Sequence, residues 1–247
     1  MKGLPDVDIG GMGIDISPVN PDVLYIIMEA AEGKSGVYRS LNRGESWDKM
    51  SDHHEIGQYY NEICCDPKNA DKIYSVETIS QVSADAWKTW HELGNKERHS
   101  DDHALWIDPH NTLHLLIGGD GGIYETFDAC ATWDLKQNLP VTQFYRVFTD
   151  NSLPFYHVYG DTQDNNSMSG PSRTISWDGI VGSDWIFTNF GDGFWSAVDP
   201  ENPNIIYAES QYGGMARFDR QSTEAVSIRP GSLPGRIEAA ARGARRR

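Results

Sequence analysis

Short apolar runs, separated by polar turns, dominate the hydrophobic pattern of this chain. Each run follows a Ser-Pro or Asp-Pro pair and a polar turn. Proline restricts φ and removes a hydrogen-bond donor, so it ends one strand before the turn reverses the chain into the next. The pattern predicts hairpins of short strands, with their apolar runs at Val23–Ile27, Lys72–Tyr74, Leu113–Ile117 and Ile205–Tyr207.

An eight-residue pattern occurs three times in the first half of the chain. Each copy has Ser or Thr first, Asp or Asn third, Ser or Thr seventh and Trp last, and the copies begin 43 residues apart at Ser40, Ser83 and Thr126. A period of about 40–50 residues built on short strands is typical of β-propellers. We therefore predict an all-β fold, a β-propeller built from four-stranded antiparallel blades.

The octapeptides have the chemistry of tight turns. Hydroxyl and carboxyl side chains can accept hydrogen bonds from nearby backbone N–H groups. Glycine at the fifth position permits positive φ, and only the first copy has it, as Gly44. The other copies have Trp87 and Cys130 there, which predicts either a different turn or backbone strain. The closing Trp is large enough to fill the space between neighbouring blades, so we interpret the octapeptides as structural.

The proline-containing pairs with their apolar runs and the octapeptides together predict five blades in one propeller domain over residues 1–232. The blades are expected near residues 11–50, 60–94, 103–139, 144–190 and 194–230, and the fourth carries no octapeptide. Residues 233–247 form a basic tail unlike the rest of the chain. We interpret this tail as non-native or disordered, with a genuine basic arm as the alternative.

Composition narrows the classes of partner. The chain has 247 residues, with 21 Lys and Arg against 36 Asp and Glu, a net charge of −15. Such acidity argues against nucleic acids and anionic membranes as partners. No apolar run is long enough to span a membrane, and no signal peptide is recognised in this chain. The three cysteines are too few for a disulfide framework, and no CxxC pattern indicates a zinc site.

The densest group of polar residues is His99–His103. On a strand, His99, Asp101 and His103 would share one face. Two histidines and a carboxylate can bind a metal or exchange protons, and they can also contact a sugar. Strand spacing alone does not decide among these, and our expectation is that no metal or cofactor is bound.

Further carboxylates recur in Gly-rich or Asn-rich loops, at Asp120, Asp164 and Asp192. In a propeller, the loops at one end of successive inner strands converge on the axis, so several carboxylates could face one another. Paired carboxylates are what glycoside hydrolysis requires. We therefore take Asp101, Asp120, Asp164 and Asp192 as candidate catalytic residues, and as candidate substrate-binding residues His99, His103, Gln163, Asn165, Tyr145 and Trp185.

Several phrases of the chain resemble a known family. They are His99–Pro109, Gly119–Glu125, Gln143–Val147, Gln163–Asn165, Gly170–Arg173 and Gly191–Phe194. Together with the octapeptides, which resemble Asp-boxes, they look like the sortilin-type, bacterial-neuraminidase-repeat propellers of bacteria. Those proteins carry a glycosyl hydrolase label and are related to xyloglucan-active endoglucanase propellers.

The resemblance covers roughly residues 3–230 and implies a carbohydrate-active propeller. Its expected activity is hydrolysis of a β-glucan-type polysaccharide, and its expected partner is a polysaccharide or glycan. Members of the family are longer, with two propellers and a catalytic cleft between them, so the resemblance implies that this chain is a fragment of an exported protein, extracellular or periplasmic. Open blade faces would then expose apolar surface and favour self-association.

Two other functions fit the same residues. One is a non-catalytic propeller that binds a glycan or a protein partner, as the prevalence of structural motifs suggests. The other is a metal-dependent hydrolase that uses His99, Asp101 and His103.

Overall fold

A computed structural model describes residues 1–55, 60–94, 96, 98–139 and 141–231. The basic tail predicted at 233–247 lies outside these residues. In the described part of the chain, twenty strands form five four-stranded antiparallel sheets, and in each sheet the strands lie side by side in chain order. This is the meander of a propeller blade, and it confirms the predicted fold class and the number of blades.

The five sheets follow one another along the chain. The first contains β1 (Ile9–Ile16), β2 (Leu24–Ala30), β3 (Gly36–Ser40) and β4 (Asp48–Ser51). The second contains β5 (Glu62–Cys65), β6 (Ile73–Val76), β7 (Gln81–Ser83) and β8 (His91–Glu92). The third contains β9 (Asp102–Ile107), β10 (Leu115–Gly119), β11 (Gly122–Thr126) and β12 (Asp134–Leu135).

The last two sheets are built in the same way. The fourth contains β13 (Arg146–Thr149), β14 (His157–Asp161), β15 (Ser167–Pro171) and β16 (Ile186–Asn189). The fifth contains β17 (Gly193–Val198), β18 (Ile205–Ser210), β19 (Gly214–Asp219) and β20 (Glu224–Ser227).

The chain divides into two compact units, Met1–Leu139 with the first three sheets and Pro140–Arg247 with the last two. Within the first unit, one apolar cluster joins residues of the first and second sheets and another joins the second and third. Within the second unit, Tyr159, Ile206 and Phe218 pack between the fourth and fifth sheets. The single domain over residues 1–232 stays a prediction.

The second strand of each sheet of the first unit carries much of this core. All four residues of β6 are buried, as are Tyr25–Met28 of β2. A strand buried on both faces reads as a continuous apolar run rather than an alternating one. This explains why these strands were the clearest signal in the sequence.

The three octapeptides form the turns between the third and fourth strands of the first three sheets. In the first, the Gly44 N–H donates to Ser40 Oγ at 2.8 Å and the Ser46 N–H donates to Asn42 Oδ1 at 2.9 Å. The same two bonds recur at 2.8–3.1 Å in the other turns, where they are Trp87 to Ser83, Thr89 to Asp85, Cys130 to Thr126 and Thr132 to Asp128. The predicted turn chemistry is therefore present in all three.

The fifth residue of each turn has a left-handed backbone, with φ of 85° at Gly44, 68° at Trp87 and 74° at Cys130. The last two turns thus keep the geometry of the first and accept strain, which costs an L-residue roughly 1–2 kcal/mol. Trp87 is fully buried between the first and second sheets. Burying a large apolar side chain contributes about 1.5–3 kcal/mol, so the packing of Trp87 offsets its strain.

This arrangement changes the expected role of the closing tryptophans. Trp87, the fifth residue, fills the space between two sheets, whereas Trp90, the closing residue of the same turn, is 42 % exposed. Trp47 is buried among residues of its own sheet. Trp133, the closing residue of the third turn, reaches the second sheet. Its Nε1 donates to the carbonyl of Leu93, the residue that follows β8, at 3.2 Å.

Candidate functional site

Four polar side chains of the first unit meet near the starts of the second and third sheets: Tyr60, Asp101, His103 and Asp120. Tyr60 lies two residues before β5, and Asp101 directly precedes β9. His103 is the second residue of β9, and Asp120 lies in the two-residue turn between β10 and β11. We call these residues the Asp101 group.

The backbone of Asp101 is held in a left-handed conformation, with φ of 76°. Its N–H donates to the Thr78 carbonyl at 2.9 Å, and its own carbonyl accepts the Asp120 N–H at 3.0 Å. Beside it, the pairing of β9 with β10 shifts register between Gly118 and Gly119. Left-handed residues and bulges concentrate at functional sites, where they aim side chains.

The prediction that His99, Asp101 and His103 share a strand face is wrong, because β9 begins only at Asp102. His99 makes other contacts. Its N–H donates to the Tyr124 hydroxyl at 3.0 Å, and its Nδ1 lies 2.5 Å from the Ser100 carbonyl oxygen. The metal-dependent alternative rested on that shared face and therefore loses its geometric basis.

His103 links the carboxylates of the Asp101 group. Its Nε2 lies 2.9 Å from Asp120 Oδ1 and 3.8 Å from Asp101 Oδ1. Its ring stacks on Tyr60 with an interplanar angle of 9° and a centroid distance of 5.8 Å. The Tyr60 hydroxyl in turn donates a hydrogen bond to Asp101 Oδ1. Each carboxylate is thus oriented by a neighbouring aromatic or imidazole side chain.

The two carboxylates of this group also lie close to each other. One oxygen of Asp101 lies within 4.8 Å of one oxygen of Asp120. Both side chains are partly exposed, at 22 % for Asp101 and 17 % for Asp120, so a ligand could reach them. Two oriented carboxylates at this spacing can share the work of acid and base in one reaction.

A buried ion pair supports the segment that carries this group. Asp102 and Arg98 are both buried, and Arg98 Nη1 lies 2.5 Å from Asp102 Oδ1. The Ser80 hydroxyl donates to Asp102 Oδ2 at 2.6 Å. The arginine also lies over the Trp133 ring, 5.2 Å from its centroid. Asp102 therefore anchors the start of β9 between Asp101 and His103.

Tyr60 and Glu62 are the members of this neighbourhood that sequence reasoning missed. Partial burial raises the pKa of the Glu62 carboxyl, and the charge of His103 acts in the opposite direction. Glu62 is the first residue of β5 and Tyr60 lies two residues before it, near the place that His103 holds at the start of β9. A comparison of the residues at the first strand of each predicted blade would have found them, because polar or aromatic residues stand there in both sheets.

A second polar group lies in the second unit and contains five of the predicted residues: Tyr145, Gln163, Asp164, Asn165 and Asp192. Phe194 joins them. Gln163, Asp164 and Asn165 lie in the turn between β14 and β15, and Asp192 lies in the loop before β17. We call these six residues the Asp164 group.

Hydrogen bonds donated by backbone N–H groups join the two loops of this group. The Asp164 N–H donates to Asp192 Oδ1 at 2.8 Å, and the Asn166 N–H donates to the Gly191 carbonyl at 3.0 Å. Gly191 has φ of 96°, and a Cβ there would lie 2.5 Å from Gln211 Oε1. Only glycine fits this position without displacing Gln211, which accepts the Asp192 N–H at 2.8 Å.

Two aromatic side chains flank the loops. Tyr145 and Phe194 stack with an interplanar angle of 26° and a centroid distance of 6.0 Å. They are 50 % and 42 % exposed, and the Tyr145 hydroxyl hydrogen-bonds Gln163 Oε1. An exposed aromatic pair beside amide and carboxylate groups offers both an apolar face and hydrogen-bond partners to a ligand.

The contact between Asp164 and Asp192 affects the ionisation of Asp192. Partial burial raises the pKa of the Asp192 carboxyl, and the nearby Asp164 carboxyl raises it further, whereas the Asp164 N–H lowers it. Two neighbouring carboxylates resist ionising together.

Trp185 belongs to a different aromatic group of the second unit. It stacks on Phe144 with a centroid distance of 6.4 Å, and it packs so tightly on Gly170 that a Cβ there would lie 2.5 Å from its ring. Trp185 also lines a cleft with Phe187 and Phe190.

Among the described residues, no helix is both long and apolar enough to span a membrane. No protein-family model matches the chain, and no curated protein matches it.

Several solved propeller structures are similar to the chain. A GH74 enzyme from Niastella koreensis has a TM-score of 0.44 at 16 % identity, over 89 % of this chain and 38 % of that chain. The GH74 xyloglucanase from Xanthomonas campestris has a TM-score of 0.41 at 14 % identity, over 92 % and 39 %. YCF48 from Cyanidioschyzon merolae has a TM-score of 0.40 at 15 % identity, over 92 % and 73 %.

This chain spans about two fifths of the length of the two GH74 proteins. All three TM-scores lie below 0.5 and all three identities at or below 16 %. These likenesses accordingly carry no argument about what the chain binds or catalyses.

Proposed function

We propose that this chain is a carbohydrate-active propeller, a glycoside hydrolase that acts on β-glucan-type polysaccharide through Asp101 and Asp120. The observation that carries the proposal is the spacing of the pair, whose nearest oxygens lie within 4.8 Å. Retaining glycosidases hold their two carboxyl groups about 5–5.5 Å apart, whereas inverting enzymes hold them about 6.5–9.5 Å apart. A separation within 4.8 Å is shorter than either range and is nearer to that of the retaining enzymes, so the proposal includes retention.

The neighbour of Asp101 suggests the role of this carboxylate. The Tyr60 hydroxyl donates to Asp101, which stabilises the ionised form and suits a nucleophile that attacks the anomeric carbon. Asp120, the second carboxyl of the pair, would take the other role and protonate the glycosidic oxygen as that bond breaks. In the second step Asp120 would take a proton from water, and the resulting hydroxide would release the sugar from Asp101.

The three octapeptide turns support the family on which the proposal draws. Their shared hydrogen bonds, from the fifth and seventh N–H groups to the first and third side chains, are consistent with Asp-boxes of the sortilin and bacterial-neuraminidase-repeat type. With that family comes the proposal that the full protein is bacterial and exported.

Reducing-sugar release from a panel of β-glucans and xyloglucan tests the hydrolytic proposal. Asp101→Asn and Asp120→Asn should each abolish release, and the exposed Asp178→Asn should not. Proton NMR of the first product should find the anomeric configuration of the substrate retained. Binding without release by the unsubstituted chain would overturn the hydrolytic assignment.

A second candidate is glycan or protein recognition without turnover, at the Asp164 group. It is favoured by a specific observation, the direct contact of Asp164 with Asp192. The Asp164 N–H engages one oxygen of the Asp192 carboxylate, so this carboxylate already serves to hold the two loops together. The exposed Tyr145 and Phe194 rings could still stack on a sugar or an aromatic side chain.

Affinity electrophoresis or calorimetry with the same glycans distinguishes the two candidates. Tyr145→Ala should weaken binding at least tenfold if this group recognises the ligand, since truncating an anchoring aromatic residue costs about 2 kcal/mol or more. Trp177 is fully exposed and lies outside the group, so Trp177→Ala is the matched control. Equal affinity of Tyr145→Ala and the unsubstituted chain would remove the Asp164 group from consideration.

A further inference from the structure

The second unit contains a cleft that neither candidate function uses. It lies between the fourth and fifth sheets and has a volume of about 620 Å³. Clefts of about 300–1,000 Å³ are the usual size of small-molecule sites. Its lining is mainly apolar with a few charged groups, and the residues that matter here are His157, Trp185, Phe187, Phe190, Ala225 and Arg220.

Aromatic rings form the walls of the cleft. Phe190 is 72 % exposed and Phe187 is 54 % exposed, and their rings lie 6.1 Å apart. Covering exposed phenylalanine rings with an apolar group is favourable, by roughly 25 cal/mol per Å² of apolar surface removed from water. The walls therefore fit an aromatic or branched hydrocarbon body.

Arg220 supplies a polar end. Its Nη2 donates to the Tyr159 hydroxyl at 2.5 Å and to Ser169 Oγ at 2.8 Å. Its Nη1 lies 3.8 Å from Asp150 Oδ2, which is beyond hydrogen-bonding distance. Its Nε is buried and has no hydrogen-bond partner. The guanidinium thus has donors on Nη1 that a ligand could use.

The acid behind Arg220 is already satisfied by other donors. Asp150 accepts hydrogen bonds from the N–H groups of Ser152 and His157, at 3.1 and 2.7 Å, and from the Tyr159 hydroxyl at 3.0 Å. The His157 Nδ1 lies 3.0 Å from the same carboxylate. These contacts keep the pKa of Asp150 below its usual value although burial acts to raise it.

The ionisable groups that line the cleft are Arg220, His157 and Asp184. Arg220 and His157 stand at the polar end, and Asp184 lies on the lining with its carboxylate accepting the Val181 N–H at 2.9 Å. Guanidinium donors form their strongest hydrogen bonds with carboxylates. The combination fits an anion with an apolar body better than it fits a neutral sugar.

We propose that this cleft is a binding site for a small organic acid with an aromatic or branched hydrocarbon body. The body lies against Phe187, Phe190 and Trp185, and the carboxylate accepts hydrogen bonds from Arg220 Nη1. Nothing in this assignment depends on hydrolysis at Asp101 and Asp120.

Calorimetric titration of the full chain with 4-phenylbutyrate tests the site, with 4-phenylbutyramide as the uncharged control probe. The acid should bind at least tenfold more tightly than the amide. Phe190→Ala should weaken binding of the acid. Ala225→Trp, which fills the cleft from an exposed position, should abolish that binding. Tyr212 is 88 % exposed and does not line the cleft, so Tyr212→Ala should leave the affinity for the acid unchanged.

The variants are chosen at exposed positions so that the chain still folds, and circular dichroism checks this for each. Equal affinity for the acid and the amide would overturn the assignment of the carboxylate to Arg220. Unchanged binding by Ala225→Trp, or no measurable binding by the unsubstituted chain, would overturn the site itself.

Discussion

The hydroxyl of Tyr60 donates a hydrogen bond to Asp101, which lies 41 residues further along the chain. The two residues come from the starts of neighbouring sheets, so the bond depends on how the second and third sheets pack. It orients the Asp101 carboxylate toward the space it shares with Asp120 and His103. The carboxylate pair is therefore assembled by contacts between sheets rather than by one strand.

Removing this hydroxyl should slow the reaction without unfolding the protein. A hydrogen bond to a charged group contributes about 1.5–3 kcal/mol, so Tyr60→Phe should lower kcat on the best substrate of the glycan panel by roughly 10–100-fold. KM should change little, because the phenyl ring stays stacked on His103. Initial-rate kinetics measure both quantities.

Tyr38 provides a matched control for this prediction. Its hydroxyl also donates a hydrogen bond, to the Lys34 carbonyl four residues earlier at 2.6 Å, and it belongs to the first sheet rather than to the Asp101 group. Tyr38→Phe should leave kcat unchanged. A loss of kcat in both variants, or in neither, would contradict the role given to Tyr60.

The candidate site was harder to predict from the sequence than the fold. Periodic turns and apolar runs report on local hydrogen bonding and burial, and they gave five four-stranded sheets. Asp101 and Asp120 were selected because acidic residues recur in loops, but the sequence could not place them beside Tyr60. Their meeting depends on the left-handed residue at Asp101 and the bulge beside it, and neither has a sequence signal that separates it from an ordinary strand start.

The buried pair of Arg98 and Asp102 should be essential for stability. Removing one partner leaves an uncompensated buried charge, which typically costs about 3–5 kcal/mol. Asp102→Ala should therefore lower the free energy of unfolding by that amount in urea denaturation. The exposed pair of Arg43 and Asp22, at 2.6 Å, gives the comparison: Asp22→Ala should cost less than about 1 kcal/mol. Similar losses in the two variants would refute the special role of Asp102.

The second octapeptide should depend on its fifth residue more than on its last. Trp87 is fully buried between two sheets, and Trp90 stacks on it at 6.3 Å from a half-exposed position. Trp87→Ala should cost about 3–5 kcal/mol because it leaves a cavity, reduced by the smaller strain that alanine bears there. Trp90→Ala should cost less, and urea midpoints would rank the two.

This ranking reverses what the motif alone predicts. The pattern marks the closing Trp by its recurrence, whereas the fifth residue varies among Gly44, Trp87 and Cys130. The recurrence of the closing Trp reflects a constraint on the turn. The loss of folding free energy on substitution depends instead on how deeply the side chain is buried. A larger loss of stability in Trp90→Ala than in Trp87→Ala would show instead that the closing Trp is the more important residue of this turn.

The octapeptide turns should also make stability depend on acid. The Thr89 backbone N–H, followed by its hydroxyl, lowers the pKa of Asp85 to about 2, and Thr132 does the same for Asp128. A carboxyl with a lower pKa in the folded state stabilises it above its unfolded pKa, here about 3.8, and loses this contribution as the pH falls through the folded value. Stability should therefore decline between about pH 4 and pH 2.

The first turn shows how to isolate this effect, because its Asn42 accepts the Ser46 N–H at 2.9 Å without ionising. The double variant Asp85→Asn and Asp128→Asn should keep the turns and remove their titration. Its urea midpoint should fall less steeply than that of the unsubstituted chain between about pH 4 and pH 2, while the other carboxylates contribute equally to both. Parallel curves would mean that the two turn carboxylates do not couple protonation to folding.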